Sequence, residues 1–176
     1  MLNSKPGSSK YRNGNFIPKN KDKVIKLNTQ GGLYYRSSWE LRIMTWLDNN
    51  SDICKWGAEC MRIPYQMTHL TDGDLKVKEH TYFPDFYYEI RLPDGNTRQV
   101  VAEVKPQKDY DDALMFSEGK FSIPPNITLK KLQSLEYRFK MAQKNKNKWE
   151  TMIKWCDKKG YNFIVITENH LKKFGV

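Results

Sequence analysis

The chain lacks the features that mark several protein classes. No run approaches the ~18 consecutive apolar residues of a membrane-spanning helix. The opening "MLNSKPGSSKYRNGNF" has no apolar segment of the kind that a secretory signal needs. The three cysteines lack metal-type spacing and the three histidines are scattered, so no zinc site is predicted. We therefore expect reduced thiols in a cytosolic protein.

Positive charge is what the chain has in excess. Lysine and arginine total 30 against 20 acidic residues, which gives a formal net charge of +10 and a pI near 9.4. Such an excess favours a polyanionic partner, either nucleic acid or an anionic membrane surface. With 176 residues, of which 39% are hydrophobic, the chain is long enough for one domain with a substantial core.

Residues 1–32 are predicted to form a basic, extended N-terminal arm, and residues 33–176 to form the folded domain. The arm has seven lysines and arginines against one aspartate, and it contains Pro6 and Gly7. Such an arm either follows phosphates or is a solvated tail, and its composition favours neither alternative.

One helix and three strands are predicted in the first part of the domain. "SSWELRIMTWLDNN" combines a capping box, Ser37-x-x-Glu40, with apolar residues at helical spacing. This spacing places Glu40 near the buried face of the helix. Strands are expected at 60–67, 80–92 and 97–105, with a hairpin turn at Pro93-Asp94-Gly95-Asn96 between the last two.

The last part of the chain is predicted to add helices and a buried strand. Residues 107–129 have no clear period and are interpreted as an inserted loop. Helices are expected at 129–143 and 148–160, and "YNFIVIT" is typical of a buried strand. The order helix, three strands, helix, strand (αβββαβ) indicates an α/β fold with a central mixed β-sheet flanked by helices.

Three charged residues are predicted to meet at one end of this sheet. In "VVAEVKP", strand alternation puts Val100, Ala102 and Val104 on one face, which packs under the helices. Val101, Glu103 and Lys105 lie on the other face. Asp85, in "YFPDFYYEI", lies across the hairpin from them. The simplest hairpin pairing leaves Asp85 one residue out of phase, so a bulge or a loop of three or five residues is required. Pro84 cannot donate to the strand ladder and is a natural place for an irregularity.

Two carboxylates and a lysine around one point suit a hard divalent cation. Mg²⁺ prefers oxygen ligands and retains water, and it would activate a water molecule beside a phosphate. Lys105 would hold that water or a phosphate oxygen, and Glu40 would add a ligand directly or through water. The plainer alternatives are an exposed Glu103–Lys105 pair, a turn at Asp85 and a Glu40 that serves only the capping box.

The combination of Pro84-Asp85 with Glu103-Val104-Lys105 resembles the motif of the PD-(D/E)xK nuclease superfamily, whose core is similar to the predicted element order. A narrower resemblance is to the head-completion nucleases of tailed bacteriophages. It is found in "YRNGNFIPKNKDKVI", "YYRSSWELRIMTWLD", "YFPDFYYEI", "AEVKP" and "NKWETMIKWCDKKGYNFIVITENHL". Residues 107–129 fit it less well. Transposon end-cleaving endonuclease subunits share a similar "YRSSWE" block and Glu-x-Lys layout.

The resemblance implies a restriction-endonuclease-like core and a Mg²⁺-dependent DNA endonuclease, with Mn²⁺ as the substitute ion. Asp85, Glu103 and Glu40 match the metal-binding acids, and Lys105 matches the motif lysine. These four residues are the predicted catalytic set. The predicted DNA-binding residues are Arg36, which matches a recurrent position, and three lysines of the strongly basic late helices: Lys144, Lys146 and Lys148.

The same resemblance implies a role in completing the phage head during DNA packaging. DNA is then the expected partner, with phage head or portal proteins as further partners and with no membrane involved. The expected location is the host-cell cytoplasm, with incorporation into the virion as an extension. Two alternatives stay open: a structural DNA-end or head-vertex binding protein that keeps a nuclease fold, and a transposon-type DNA end-cleaving endonuclease. The presence of Asp85, Glu103 and Lys105 together favours an active enzyme.

Overall fold

The computed structural model describes residues 13–71 and 74–173. Its strands are β1 (Gly14–Phe16), β2 (Leu33–Tyr35), β3 (Ile53–Ala58), β4 (Ile63–Thr71), β5 (Asp74–Tyr82), β6 (Phe86–Arg91), β7 (Thr97–Val104) and β8 (Asn162–Ile166). Its helices are α1 (Ser38–Asn49), α2 (Gln107–Ser117), α3 (Leu129–Lys159) and α4 (Glu168–Lys173), with a short 3-10 turn at Lys21–Lys23.

The central sheet has the strand order β3-β6-β7-β8. β3 and β7 both run antiparallel to β6, while β8 runs parallel to β7. Helix α1 covers one face through Ile43, Met44 and Leu47, and α3 covers the other through Met152 and Cys156. This arrangement confirms the predicted mixed α/β fold with helices on both sides of the sheet.

Strand β7 lies at the centre of this structure and is buried on both of its faces. Val100, Ala102 and Val104 pack under α1, as predicted. The opposite face, with Val101, is also covered, because it packs against Met152 of α3. A polar side chain on that second face therefore sits in a nearly dry environment, which determines the electrostatics of the site described below.

The hairpin between β6 and β7 brings Asp85 level with Glu103. Arg91 pairs with Thr97, and the pairing continues to Phe86 opposite Ala102. The connection is the five-residue loop 92–96, in which the amide of Leu92 donates to the carbonyl of Asn96 at 2.7 Å. Gly95 has a φ of +86°, a conformation that glycine adopts without steric cost. A five-residue loop was one of the predicted ways to correct the phase, and it is confirmed.

Two strand predictions are wrong in part. The strand expected at 80–92 is interrupted at Pro84 and becomes the end of β5 and the start of β6. The strand expected at 60–67 belongs to β4, which pairs only with β5 in a separate two-stranded ribbon. Its expected place in the central sheet is taken by β3, whose short pattern with Lys55 and Gly57 gives little strand signal.

The prediction of an extended arm is wrong for residues 13–32, and residues 1–12 lie outside the described part of the chain. β1 pairs with β2, and Phe16, Val24 and Leu27 pack against the main core. The buried carboxylate of Asp48 accepts hydrogen bonds from the amides of Lys19 and Asn20, at 2.8 and 3.1 Å. These contacts fix the segment despite its basic composition.

The prediction of an inserted loop at 107–129 is wrong for the first half of that segment, which forms helix α2. Contacts of α2 with α3 support this helix: the ion pair of Asp112 with Arg138 and the ring contacts of Tyr110 with Trp149 and of Phe116 with Phe139. These contacts are distant in sequence, so the local pattern did not indicate the helix. The two late helices expected at 129–143 and 148–160 are a single helix of 31 residues.

Among the described residues, no helix has the length and apolar character needed to cross a membrane.

Candidate active site

Asp85, Glu103 and Lys105 converge where β6 begins and β7 ends. The Nζ of Lys105 lies 2.9 Å from Oε1 of Glu103. Oδ2 of Asp85 accepts a hydrogen bond of 2.6 Å from the amide of Val104, between the other two residues in sequence. Glu103 is only 2% exposed. A buried carboxylate, a second carboxylate across the strand pair and a half-exposed ammonium group therefore surround one point at the edge of the sheet.

The charges in this cluster are strongly coupled. Burial is the largest cause that raises the pKa of Asp85, the Glu103 carboxylate raises it further, and the value reaches about 7 despite the opposing effect of Lys105. Burial alone would lower the pKa of Lys105, but Glu103 and Asp85 outweigh it and the pKa is raised. Lys105 is thus held as a cation beside two acids whose negative charge it only partly balances.

Tyr82, at the end of β5, holds the other oxygen of Glu103. Its hydroxyl donates to Oε2 at 2.6 Å, and its ring is buried. Burial, followed by the Glu103 charge, raises the pKa of Tyr82, so its phenol stays protonated. Sequence reasoning did not identify Tyr82 as a site residue. The one available signal was its position two residues before Pro84, within the segment "YFPDFYYEI".

Lys148 of α3 lies against Tyr82, beside the cluster of Asp85, Glu103 and Lys105. Its Nζ is 4.6 Å from the ring centroid of Tyr82, a cation–π distance. Burial is the largest cause that lowers the pKa of Lys148, and Lys105 lowers it further, whereas the Glu103 charge opposes the shift. The sequence predicted Lys148 to be a DNA-binding residue, and the structure places it against Tyr82 and near the carboxylates of Asp85 and Glu103.

The backbone after Lys105 is tied firmly to the end of β8. The Lys105 amide donates to the carbonyl of Ile166 at 3.0 Å. Two residues later, the Gln107 amide donates to Oε2 of Glu168 at 2.7 Å. The buried hydroxyl of Thr167 donates to the Gln107 side chain, also at 2.7 Å. Since these bonds flank Lys105, they fix the direction in which the lysine leaves the sheet.

Glu40 and Arg36 are close to this cluster but are engaged elsewhere. The Glu40 side chain accepts hydrogen bonds from the Ser37 hydroxyl and the Arg36 amide, both at 2.9 Å, which confirms its capping role. Its charge is near enough to raise the pKa of Asp85 slightly. The Arg36 guanidinium pairs with Glu59, and the amide of Glu59 donates to the Asp85 carbonyl at 3.1 Å.

The two other predicted DNA-binding lysines lie on the same stretch of α3 as Lys148. Both are partly buried, and Lys146 forms a salt bridge of 2.7 Å with Glu150 one turn later. Lys144 is close enough to Lys148 for its charge to lower the pKa of that residue. Lys144 and Lys148 therefore lie one helical turn apart on the side of α3 that leads to the carboxylate cluster. Lys146, two residues from each, points to another side of the helix and is paired with Glu150.

The donor set fits a hard cation that brings its own water. The described residues contain no group of three or more histidine, cysteine or carboxylate side chains placed to hold one metal ion. The predicted metal-binding role of Glu40 stays a prediction. Asp85 and Glu103 remain as a pair of oxygen donors. Mg²⁺ is usually bound by one or two carboxylates together with water and substrate phosphate. The residual negative charge beside Lys105 is complementary to such an ion.

A carboxylate pair and a lysine at the ends of neighbouring strands of a mixed sheet match the motif of PD-(D/E)xK nucleases. The chain belongs to the TnsA-like endonuclease N-terminal family, whose model matches residues 50–168. That range includes Asp85, Glu103 and Lys105 but not Glu40.

A curated relative extends the comparison over nearly the whole chain. The chain is 26% identical over 162 residues to the head completion nuclease of Enterobacteria phage T4, covering 92% of this chain and 95% of the relative. No solved structure matches the chain.

Proposed function

We propose that the chain is a Mg²⁺-dependent DNA endonuclease that hydrolyses phosphodiester bonds while a phage head is being completed. The observation that supports this most strongly is the convergence of Asp85, Glu103 and Lys105 at one edge of the sheet. Membership in an endonuclease family supports the reaction class. The net charge of +10 supports a polyanionic substrate.

Each residue of the cluster is assigned a role that its position allows. Asp85 and Glu103 would hold the divalent ion, which would supply Lewis acidity to the water nucleophile and to the phosphate. Lys105 orients the attacking water or a phosphate oxygen. Tyr82, a protonated donor to Glu103, fixes the direction of that carboxylate. Glu40 acts through the Arg36 backbone and through its charge, or through a bridging water.

DNA binding is assigned to Arg36, Lys144, Lys146 and Lys148. Lysines that contact phosphates supply affinity without reading sequence. Lys148 lies next to Tyr82 and Glu103, so the stretch Lys144–Lys148 leads the DNA backbone to the scissile phosphate. Mn²⁺ is expected to replace Mg²⁺, since both are hard cations with octahedral oxygen coordination.

The biological setting is proposed from the relative. Because the relative is a head completion nuclease, this chain is proposed to act on packaged DNA at the head, with head or portal proteins as partners, in the host-cell cytoplasm or in the virion. A transposon-type DNA end-cleaving endonuclease is the second candidate, and it is favoured by the family model. The two differ in where they cut, because an end-cleaving enzyme requires a defined DNA end.

The primary test is cleavage of supercoiled plasmid by the purified chain, with Mg²⁺, with Mn²⁺ and with EDTA. We expect nicking or linearisation with either metal, none with EDTA, and loss of activity in Asp85→Ala and Lys105→Ala. Glu118→Ala and Lys120→Ala are matched controls, because they remove the same charges from an exposed pair after α2. Equal activity in wild type and Asp85→Ala would refute the proposed site.

A second test separates cleavage from a structural role at the head. DNA-filled heads that lack this protein would be supplied with wild type or with Asp85→Ala, and tail attachment would be scored. An enzymatic role predicts that Asp85→Ala fails. Full rescue by Asp85→Ala would favour the structural DNA-end or head-vertex protein. Cutting of plasmid at scattered positions would argue against the transposon-type candidate.

A further inference from the structure

The β4–β5 ribbon is a two-stranded sheet separate from the central sheet. Its two strands have nine residues each and pair along their whole length, which gives a ribbon of ~30 Å at 3.3–3.4 Å per residue. Among the residues whose side chains the structure describes, the ribbon is buried at its base, through Ile63, Tyr65 and Tyr82. On β5, residues 74–79 are all exposed. An isolated two-stranded hairpin is marginally stable, so a projecting ribbon of this length is best explained by a binding partner.

The ribbon is joined directly to the candidate active site. Tyr82, its last residue, donates to Glu103 and lies under Lys148. Because side chains two residues apart share a face of a strand, Lys78 and Lys76 lie on the same face as Tyr82. Both lysines are exposed, and neither forms a salt bridge with a carboxylate of the described residues. Two positive charges thus continue outward from the candidate site along this face, which ends at the exposed Asp74.

We propose that this lysine face of the ribbon binds the phosphate backbone of the DNA duplex beside the scissile bond. The proposal rests on the proposed nuclease function, since the Asp85–Glu103–Lys105 cluster sets the position of the scissile phosphate. Lys76 is six residues from Tyr82, or ~20 Å along the strand. At 3.4 Å of rise per base pair, this distance corresponds to contacts within about six base pairs of the cut.

The opposite face of the ribbon has a different character. Leu75 and Val77 are 75% and 62% exposed, and they alternate with the two lysines. Apolar side chains on that face do not neutralise phosphates, so only the lysine face is expected to show a salt-dependent effect. The ribbon therefore provides its own control, because each face is altered without changing the other.

The test is duplex binding by the full chain in EDTA, measured by fluorescence anisotropy across a range of salt concentrations. Each phosphate contact adds about 0.9 to the slope of log K against log salt. K76A/K78A is expected to reduce the magnitude of that slope by ~1.8. L75T/V77T, on the other face, and K130A/K131A, at the far end of α3, are expected to leave it unchanged. A hydroxyl-radical footprint should shorten by about six base pairs on one side in K76A/K78A only.

The outcomes separate this proposal from the proposed function. If wild type cuts plasmid and binds duplex, but K76A/K78A keeps the wild-type slope and footprint, the ribbon proposal is wrong and the nuclease stands. An equal fall in slope for L75T/V77T or K130A/K131A would also overturn it, since the effect would not belong to the lysine face. If wild type neither cuts nor binds duplex, both proposals fail.

Discussion

The two halves of helix α3 resemble each other in sequence but differ in environment. The C-terminal half packs against the central sheet, where Trp149, Met152 and Cys156 are buried. The N-terminal half has apolar residues at similar spacing, yet Leu129 is 72% exposed and Phe139 is 43% exposed. Leu132, Leu135 and Phe139 line an open cavity of about 430 Å³ instead of a closed core.

This difference shows that helical periodicity identifies an apolar face but not its partner. The C-terminal half reaches Val101 on β7, so its apolar face is covered by the sheet. The N-terminal half extends past the sheet and is held mainly by α2, through the ion pair of Arg138 with Asp112. Burial of the C-terminal half, and with it the position of Lys148 beside the candidate site, follows from contact with the sheet.

Truncation of a buried side chain in the C-terminal half should have the largest effect on stability. Met152 is fully buried between α3 and the sheet, so Met152→Ala is expected to lower the free energy of unfolding by ~2–5 kcal/mol. Phe139→Ala removes a larger side chain from the N-terminal half, but it should cost much less because Phe139 is already exposed. Urea denaturation of both variants measures the two changes in unfolding free energy. Equal losses of unfolding free energy would mean that the two halves are equally packed.

Loss of the Tyr82 hydroxyl tests whether the C-terminal half and the ribbon position the site together. Tyr82→Phe keeps the ring under Lys148 but removes the donor to Glu103. Loss of such an outer hydrogen bond typically costs 10–100-fold in metal affinity or activity, so Mg²⁺-dependent cleavage should fall by about that factor. The Mg²⁺ concentration that gives half-maximal cleavage should rise. Unchanged cleavage at limiting Mg²⁺ would show that Glu103 needs no such support.

The ion pair that anchors the N-terminal half should show a pH dependence. Asp112 accepts hydrogen bonds of 2.9 and 2.5 Å from Arg138 and one of 3.3 Å from Lys108. The Arg138 hydrogen bond is the main cause that lowers the pKa of Asp112 below its ordinary value of ~3.9. Its stabilising effect is therefore complete above that ordinary pKa and is lost as the pH falls through the lowered one.

Asp112→Asn tests this linkage. The variant is expected to be less stable than wild type by about 1–2 kcal/mol at pH 7, because the paired carboxylate is lost. The difference should shrink once the pH falls below ~4. Thermal unfolding from pH 7 to pH 3 measures both. A difference that stays constant over that range would mean that the Asp112 charge does not stabilise the fold.

The elements that depend on local signals could be predicted from the sequence. The α1 capping box, the turn at Pro93–Asn96 and the alternation in β7 all depend on neighbouring residues, and the structure contains each of them. The convergence of Asp85 with Glu103 followed from the same signals once the loop length was known. The catalytic and metal-binding roles of these residues stay predictions.

Features that depend on distant contacts could not be predicted. β3 is fixed by pairing with β6, and α2 by its ion pair with α3. The separate β4–β5 ribbon reflects the break at Pro84, which indicated an irregularity but not the departure of a whole hairpin from the sheet. The contacts of Tyr82 with Glu103 and of Lys148 with Tyr82 are tertiary, so the segments "YFPDFYYEI" and "NKWETMIKW" that contain the two residues did not reveal them.

The smallest expected effect on stability lies at the boundary between the two halves of α3. Lys146 forms an exposed salt bridge with Glu150 one turn away, and pairs of this kind contribute only ~0.3–0.5 kcal/mol. Lys146→Ala should therefore leave the unfolding free energy nearly unchanged. Its proposed phosphate contact would nevertheless reduce the salt slope of DNA binding by about 0.9. Glu150→Ala, which removes the same pair from its acidic side, is the control and should keep the full slope. If Lys146→Ala also keeps the full slope, this part of α3 does not follow the DNA backbone.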